Sequence, residues 1–223
     1  MVSDSLQNKV VVVVGGDARS TATIATELSR RGALLAIQYD ASFADAKHLV
    51  RGIEKEGGHA IAVRADLTDA AQTEALYQRT VGALGAMDAV VVNTADTAGP
   101  AAHGRGGTGV MDVFEAIGRR MCACVVPARA AVRTFASLRQ SGALVYLTAG
   151  CGLDDALART VVRHLAAEVR PPALRVNVVA GTGVFAAAAA PVVDLVAALT
   201  SGDLSRLDGA VLSVAAAPLA PRR

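Results

Sequence analysis

Short runs of β-branched and aliphatic residues recur along the chain, each followed by a helical stripe, and this alternation constrains the fold more than any other feature. Val10 to Val14, Leu34 to Tyr39, Ala60 to Ala65, Ala89 to Asn93, Leu144 to Thr148, Arg175 to Val179 and Ala210 to Val214 are the predicted strands. They are close to continuously apolar, as strands covered on both faces of a parallel sheet must be. Helices are predicted around Ile24 and Leu28 up to Gly32, then over Phe43 to Glu56, Thr73 to Leu84, Val110 to Leu138 and Asp154 to Val169, with Pro127 expected to kink the fourth. Right-handed crossovers turn this order into a doubly wound α/β fold with a seven-stranded parallel sheet, whose ligand crevice lies at the carboxyl ends of the strands. No linker or shift in composition interrupts the pattern, so residues 1–223 read as a single domain.

Composition narrows the function. With 52% hydrophobic residues the chain can fill a core, which excludes a disordered protein. Its 22 Lys and Arg against 20 Asp and Glu form no concentrated basic face, and 3% aromatic residues leave little for base stacking; nucleic acid is not an expected partner. Cys122, Cys124 and Cys151 are too few for a disulfide framework and lack metal-site spacing. They read as reduced, small buried apolar groups, and no metal is expected. The polar start, Met1 to Lys9, and the absence of a run of roughly 18 apolar residues argue against a leader and a membrane span. The expectation is a cytoplasmic protein acting on a small molecule.

Several local motifs fall in a recognisable order. Gly32-Ala33 follows the first helix, Ala65-Asp66-Leu67-Thr68-Asp69 the third strand, and Asp88 to Asn93 covers the fourth. Leu165-Ala166-Ala167-Glu168, Arg175-Val176-Asn177 and Leu207-Asp208-Gly209 come later. In this order the chain resembles the short-chain dehydrogenase/reductase family over its full length. The resemblance implies a Rossmann-type NAD(P) site. The family's phosphate loop, T-G-x-x-x-G-x-G, falls on Val14 to Thr21, where Gly15 is kept and Arg19 and Thr21 replace the later glycines. Side chains at those places are expected to crowd a pyrophosphate, although the Arg19 guanidinium beside a helix N-terminus could hold a phosphate instead. Asp66 matches the family's adenine-binding acid, or is simply a turn or cap residue. Asp40, one step beyond Tyr39 at the usual ribose position, would favour NAD over NADP if a dinucleotide binds, by repelling a 2′-phosphate. Asn93, at the end of the fourth strand, completes the expected cofactor-binding set.

The resemblance fails at the catalytic centre. The only lysines are Lys9, Lys47 and Lys55 and the only tyrosines Tyr39, Tyr77 and Tyr146, so no Tyr-x-x-x-Lys can be written. By alignment Ala149 stands at the family's Ser, Cys151 at its Tyr, Asp155 at its Lys and Arg120 at its Asn. Thr182 and Ala186 replace residues that face the nicotinamide. The candidates left for chemistry are Asp96, His103, Arg120, Thr148, Cys151, Asp154 and Asp155. A partly buried carboxylate of raised pKa, with an Arg to hold an oxyanion, would support a non-redox cyclase, isomerase or lyase of a biosynthetic pathway requiring no cofactor. The alternatives are a non-catalytic scaffold or a divergent NAD-dependent oxidoreductase. Each residue also has a structural reading: Asp154 and Asp155 as first-turn helix acids, His103 as a solvated loop residue, Asp96 as a turn residue, Arg120 as the polar side of its helix. By family analogy, Met121, Val125, Val132, Val161 and Leu165 would form the stripe of a homodimer or homotetramer, or of a hetero-oligomer with an active relative. Phe185 to Pro191 replaces the family's substrate-covering segment, leaving the cleft open.

Overall fold

The computed structural model describes residues 6–94, 110–169, 174–181 and 189–214, with the backbone alone at 189 and 190. The elements are β1 (Val10–Gly15), α1 (Ala18–Arg30), β2 (Leu34–Tyr39), α2 (Phe43–Lys55), β3 (His59–Arg64), α3 (Ala70–Leu84), β4 (Ala89–Asn93), α4 (Val110–Leu138), β5 (Gly142–Thr148), α5 (Gly152–Glu168), β6 (Leu174–Gly181), α6 (Ala189–Ser201) and β7 (Val211–Val214). All seven strands were expected, with ends that match or differ by one or two residues. The third helix starts three residues earlier than periodicity indicates, because Asp69 caps it by accepting from the amides of Ala71 and Gln72. Helix α6 was missed. Its run of Ala and Val has no polar face to mark a period, and Pro191 in its first turn, where no intrahelical donor is needed, looks like a breaker.

The strands form one parallel sheet in the order β3-β2-β1-β4-β5-β6-β7. Strand period two divides the core: Val12, Val14, Val90 and Leu144 face α3, α4 and α5, whereas Val11, Val13, Val91 and Val145 face α1, α2 and α6. The order reverses between β1 and β4, which leave the sheet centre with helices on opposite faces. At about 25 cal/mol per Å² of apolar surface removed from water, each wholly buried Val or Leu contributes roughly 1.5–3 kcal/mol. Two such layers hold the strand ends in fixed relation.

Helix α4 continues through Pro127, which lies buried on its inner face. Two buried tyrosines serve the carbonyls around it: Tyr146 Oη donates to Cys124 O at 2.6 Å and Tyr77 Oη to Pro127 O at 3.0 Å. Burial pushes both phenols well above their ordinary pKa, so they remain donors. By length and composition α4 could cross a membrane, but Cys124, Ala128, Ala131 and Phe135 pack on the sheet and Arg119, Arg120, Arg129 and Arg133 are all ion-paired. The stripe expected to mediate assembly is mixed. Met121 is exposed, but Leu165 is core and Val132 and Val161 pack against it.

Candidate functional site

A cleft of about 790 Å³ opens at the carboxyl ends of β1, β2 and β4, where the strand order reverses. At its centre Gly15 and Gly16 have φ of +76° and +75°. A Cβ on Gly15 would lie 2.6 Å from Asn93 O, and one on Gly16 would lie 2.1 Å from Asn93 Nδ2. Only glycine gives both the left-handed turn and the close approach to β4. Asn93 then donates from Nδ2 to Ser20 Oγ at 2.9 Å, tying β4 to the start of α1. Asp17 caps α1 by accepting from Ser20 N at 2.7 Å.

The replaced glycines behave differently from each other. Thr21 is buried and donates its hydroxyl to Gly15 O at 2.9 Å, so the side chain is absorbed between α1 and β1. Arg19 is exposed on the cleft wall in the first turn of α1. The loop has a further support that sequence reasoning missed. Gln38 accepts from Gly15 N at 3.1 Å and donates to Ala65 O at 2.7 Å, linking β1, β2 and the end of β3. A lone polar residue inside the apolar run Leu34 to Tyr39 was the available signal.

Asp40 and Asp66 line the same cleft. Asp66 Oδ1 accepts from Thr68 N at 2.8 Å and Thr68 Oγ1 at 2.7 Å, an Asx turn, while the cap of α3 is Asp69. Asp40 is exposed, and its backbone carbonyl accepts from Arg64 Nε.

The far end of the cleft is walled by α4 and the start of α5. Arg120 Nη1 donates to Asp154 Oδ2 at 2.8 Å, joining the two helices, and both residues line the cleft with Ala123 and Cys124. Thr148 and Asp155 are together but do not form the wall. Thr148 Oγ1 donates to Asp155 Oδ1 at 2.6 Å, and Arg159 Nε donates to Asp155 Oδ2 at 2.6 Å. Burial pushes the Asp155 carboxyl up, but the hydrogen bonds from Arg159 and Thr148 and the attraction of the guanidinium outweigh it and hold the group below its ordinary pKa. It is therefore not the carboxylate of raised pKa anticipated above. Cys151 is the N-cap residue of α5, exposed and outside the cleft wall, with no side-chain cap bond. Of the three thiols only Cys124 is buried; burial, with the negative charge of Asp154, raises its pKa to about 12 despite the hydrogen bond it shares with Tyr146. Asp96 and His103 lie outside the described residues. Among the described residues no three His, Cys, Asp or Glu side chains converge as a metal site. Gly15, Arg19, Asp40, Asp66, Asn93, Arg120 and Asp154 are thus brought to one cleft.

Comparison with known proteins bears on what the cleft does. Residues 9–194 match the model of the short chain dehydrogenase family. The chain is 43% identical over 89 residues to hydroxynaphthalene reductase arp2 of Aspergillus fumigatus and 40% identical over 89 residues to elsinochrome reductase 1 of Elsinoe fawcettii; each match covers 40% of this chain and 33% of the relative. It therefore aligns with about a third of the length of those reductases. It is 33% identical over 90 residues to the short-chain dehydrogenase/reductase homolog YusS of Bacillus subtilis, covering 40% of this chain and 83% of the relative. A short chain dehydrogenase from Mycobacterium smegmatis superposes with a TM-score of 0.78 at 24% identity, over 97% of this chain and 95% of the other. A dehydrogenase/reductase from Sinorhizobium meliloti gives 0.72 at 26% identity, over 96% of each. These matches overturn two expectations. The matched family and relatives are named for dehydrogenase and reductase chemistry, which speaks against a non-redox cyclase, isomerase or lyase and against a protein that requires no cofactor. The missing Tyr and Lys lie outside the features that define the family match, namely the parallel sheet and the turn after β1. By the family model, and by the sheet and cleft that carry it, the chain belongs to the short-chain dehydrogenase family.

Proposed function

We propose that this chain binds a nicotinamide dinucleotide, NAD in preference to NADP, and is a divergent oxidoreductase of a small carbonyl or alcohol substrate. The observation that carries the reading is the Gly15-Gly16 turn at the switch point of the sheet, opening into a cleft long enough to end at the Arg120–Asp154 pair. The residues present fit the cofactor. Gly15 and Gly16 let the turn pack against Asn93 while lining the cleft, and Arg19 offers a guanidinium to a phosphate there. Asp66 retains one carboxylate oxygen beyond its bonds to Thr68 for an adenine amino group. Asp40 supplies an acceptor for a ribose hydroxyl and repels a 2′-phosphate. The bound group supplies or receives a hydride. Asp154, held by Arg120 where the substrate end lies, takes the hydroxyl proton in the direction of alcohol oxidation.

Titration with NADH tests this by calorimetry and by melting temperature. NADH at a hundredfold excess over Kd adds about 2.7 kcal/mol, which is roughly 5–11 °C for a chain of this size. Expected are that shift, a smaller one with NADPH, and slow NADH oxidation with a ketone panel. No heat and no shift at millimolar NADH would refute the reading.

The wider expectations rest on the same scaffold. We further propose a single domain over residues 1–223 in a cytoplasmic protein with reduced cysteines; the support is that the described strands join in one sheet and the three thiols are free. Met111, Phe114 and Met121 on α4 and Leu153 on α5 expose apolar surface that a homodimer or homotetramer would cover. Sedimentation tests that assembly: Phe114→Glu shifts the mass toward monomer, whereas a monomeric wild type refutes it.

A further inference from the structure

The substrate end of the cleft is unlike its remainder. Among the described residues its wall is apolar at Ala123 and carries two guanidiniums, Arg119 and Arg120, against one carboxylate, Asp154. Arg119 is directed to solvent, where it pairs with Glu115 at 2.8 Å. Arg120 is different: its side chain is 26% exposed, and among the described residues its single hydrogen-bond partner is Asp154 Oδ2, reached through Nη1. A guanidinium carries five N–H donors in a rigid fork. Four of them have no partner among the described residues, on a side chain that lines the cleft and is three-quarters withdrawn from water. A lone carbonyl oxygen would use one; a carboxylate fills a whole edge of the fork with two parallel bonds, while Nη1 stays on Asp154.

We propose that Arg120 is a specificity-determining residue that holds a carboxylate of the substrate, so that the chain acts on 2-oxo or 2-hydroxy acids rather than on neutral ketones. The inference rests on the oxidoreductase reading, which it deepens. The carboxylate on the free edge of Arg120 places the neighbouring carbon, with its oxygen, beside Asp154. The same arrangement assigns Asp154 two opposed effects: it fixes the Arg120 side chain, and it repels the acid that Arg120 binds.

Phenylpyruvate and its methyl ester, which differ in one negative charge, test this by calorimetry on the NADH-saturated protein. The acid binds at least tenfold tighter than the ester. Arg120→Gln removes that preference and Arg120→Lys, which keeps the charge but not the fork, retains part of it. Asp154→Asn tightens the acid several-fold and leaves the ester unchanged, a sign that a merely structural ion pair would not produce. Circular dichroism of each variant checks the fold. Equal binding of acid and ester, no binding of the acid at millimolar concentration, or a preference that survives Arg120→Gln would overturn the proposal. The NADH titration on the same samples separates the two readings: NADH binding without acid preference sinks only this inference, and acid preference without NADH binding sinks the oxidoreductase reading.

Discussion

Replacing Asp155 removes the contact that ties the end of β5 to the first turn of α5. Its two oxygens accept from Thr148 Oγ1 and from Arg159 Nε, each at 2.6 Å, and Thr148 is wholly buried. In Asp155→Ala the Thr148 hydroxyl loses its acceptor; it still accepts from Gly150 N at 3.2 Å but has nowhere to donate. An unsatisfied buried donor costs about 1–3 kcal/mol. The Arg159 half is worth less, about 0.2–1 kcal/mol, because a third of that side chain reaches water and is screened. The sum is about 1–4 kcal/mol, a fall in Tm of roughly 2–16 °C. Asp155→Asn keeps an acceptor for Thr148 and costs about 1 kcal/mol. The pH dependence has a definite sign. Although burial raises it, the carboxyl is held net below its ordinary pKa by Arg159 and Thr148. Its contribution is therefore present above the unfolded value of about 3.9 and is lost as the pH falls through the lower folded value. Urea unfolding at several pH values checks both claims: wild type exceeds Asp155→Asn by a constant margin near neutrality, and the margin shrinks below about pH 4. A Tm for Asp155→Ala within a degree of wild type, or a margin that grows in acid, would refute the reasoning.

Three further outcomes follow from single contacts. Gly16→Ala, with φ of +75° and a Cβ 2.1 Å from Asn93 Nδ2, should break the Asn93–Ser20 bond, destabilise by about 1–2 kcal/mol and weaken NADH binding; wild-type Tm and affinity would contradict this. Tyr146→Phe removes a 2.6 Å bond to Cys124 O and should cost about 0.5–1.5 kcal/mol in denaturant, with unchanged m-value. Thiol labelling at pH 8 should modify Cys122 and Cys151 in the native protein and spare Cys124, whose pKa is about 12, until urea is added; three thiols reacting at once would exclude that burial.

The sheet was legible in the sequence because its strands are buried on both faces, which writes each one as a block of Val, Leu and Ala, and because glycines or polar turns end the helices between them. Gly15, Arg19, Asp40, Asp66 and Asn93 line one cleft because each stands at the carboxyl end of a strand or just beyond it, and the strand order brings those ends together. Helix α6 was not legible, since an Ala and Val run without a polar face has no period to read. The expectation of non-redox chemistry came from the missing Tyr and Lys, whereas the sheet and the Gly15-Gly16 turn that carry the family fold do not depend on those side chains.

Sequence by itself determined the layers, the crossovers and the crevice, because these follow from periodicity, which is local. Tertiary structure decided the rest. Asp154 and Asp155 are neighbours with the same charge and the same place in a first turn, yet one faces the cleft beside Arg120 and the other is locked beneath it by Thr148 and Arg159. Gln38 and Tyr146 act on backbone groups 23 and 22 positions away. Such pairings depend on which strand ends meet which helix, and the reversal between β1 and β4 sets them.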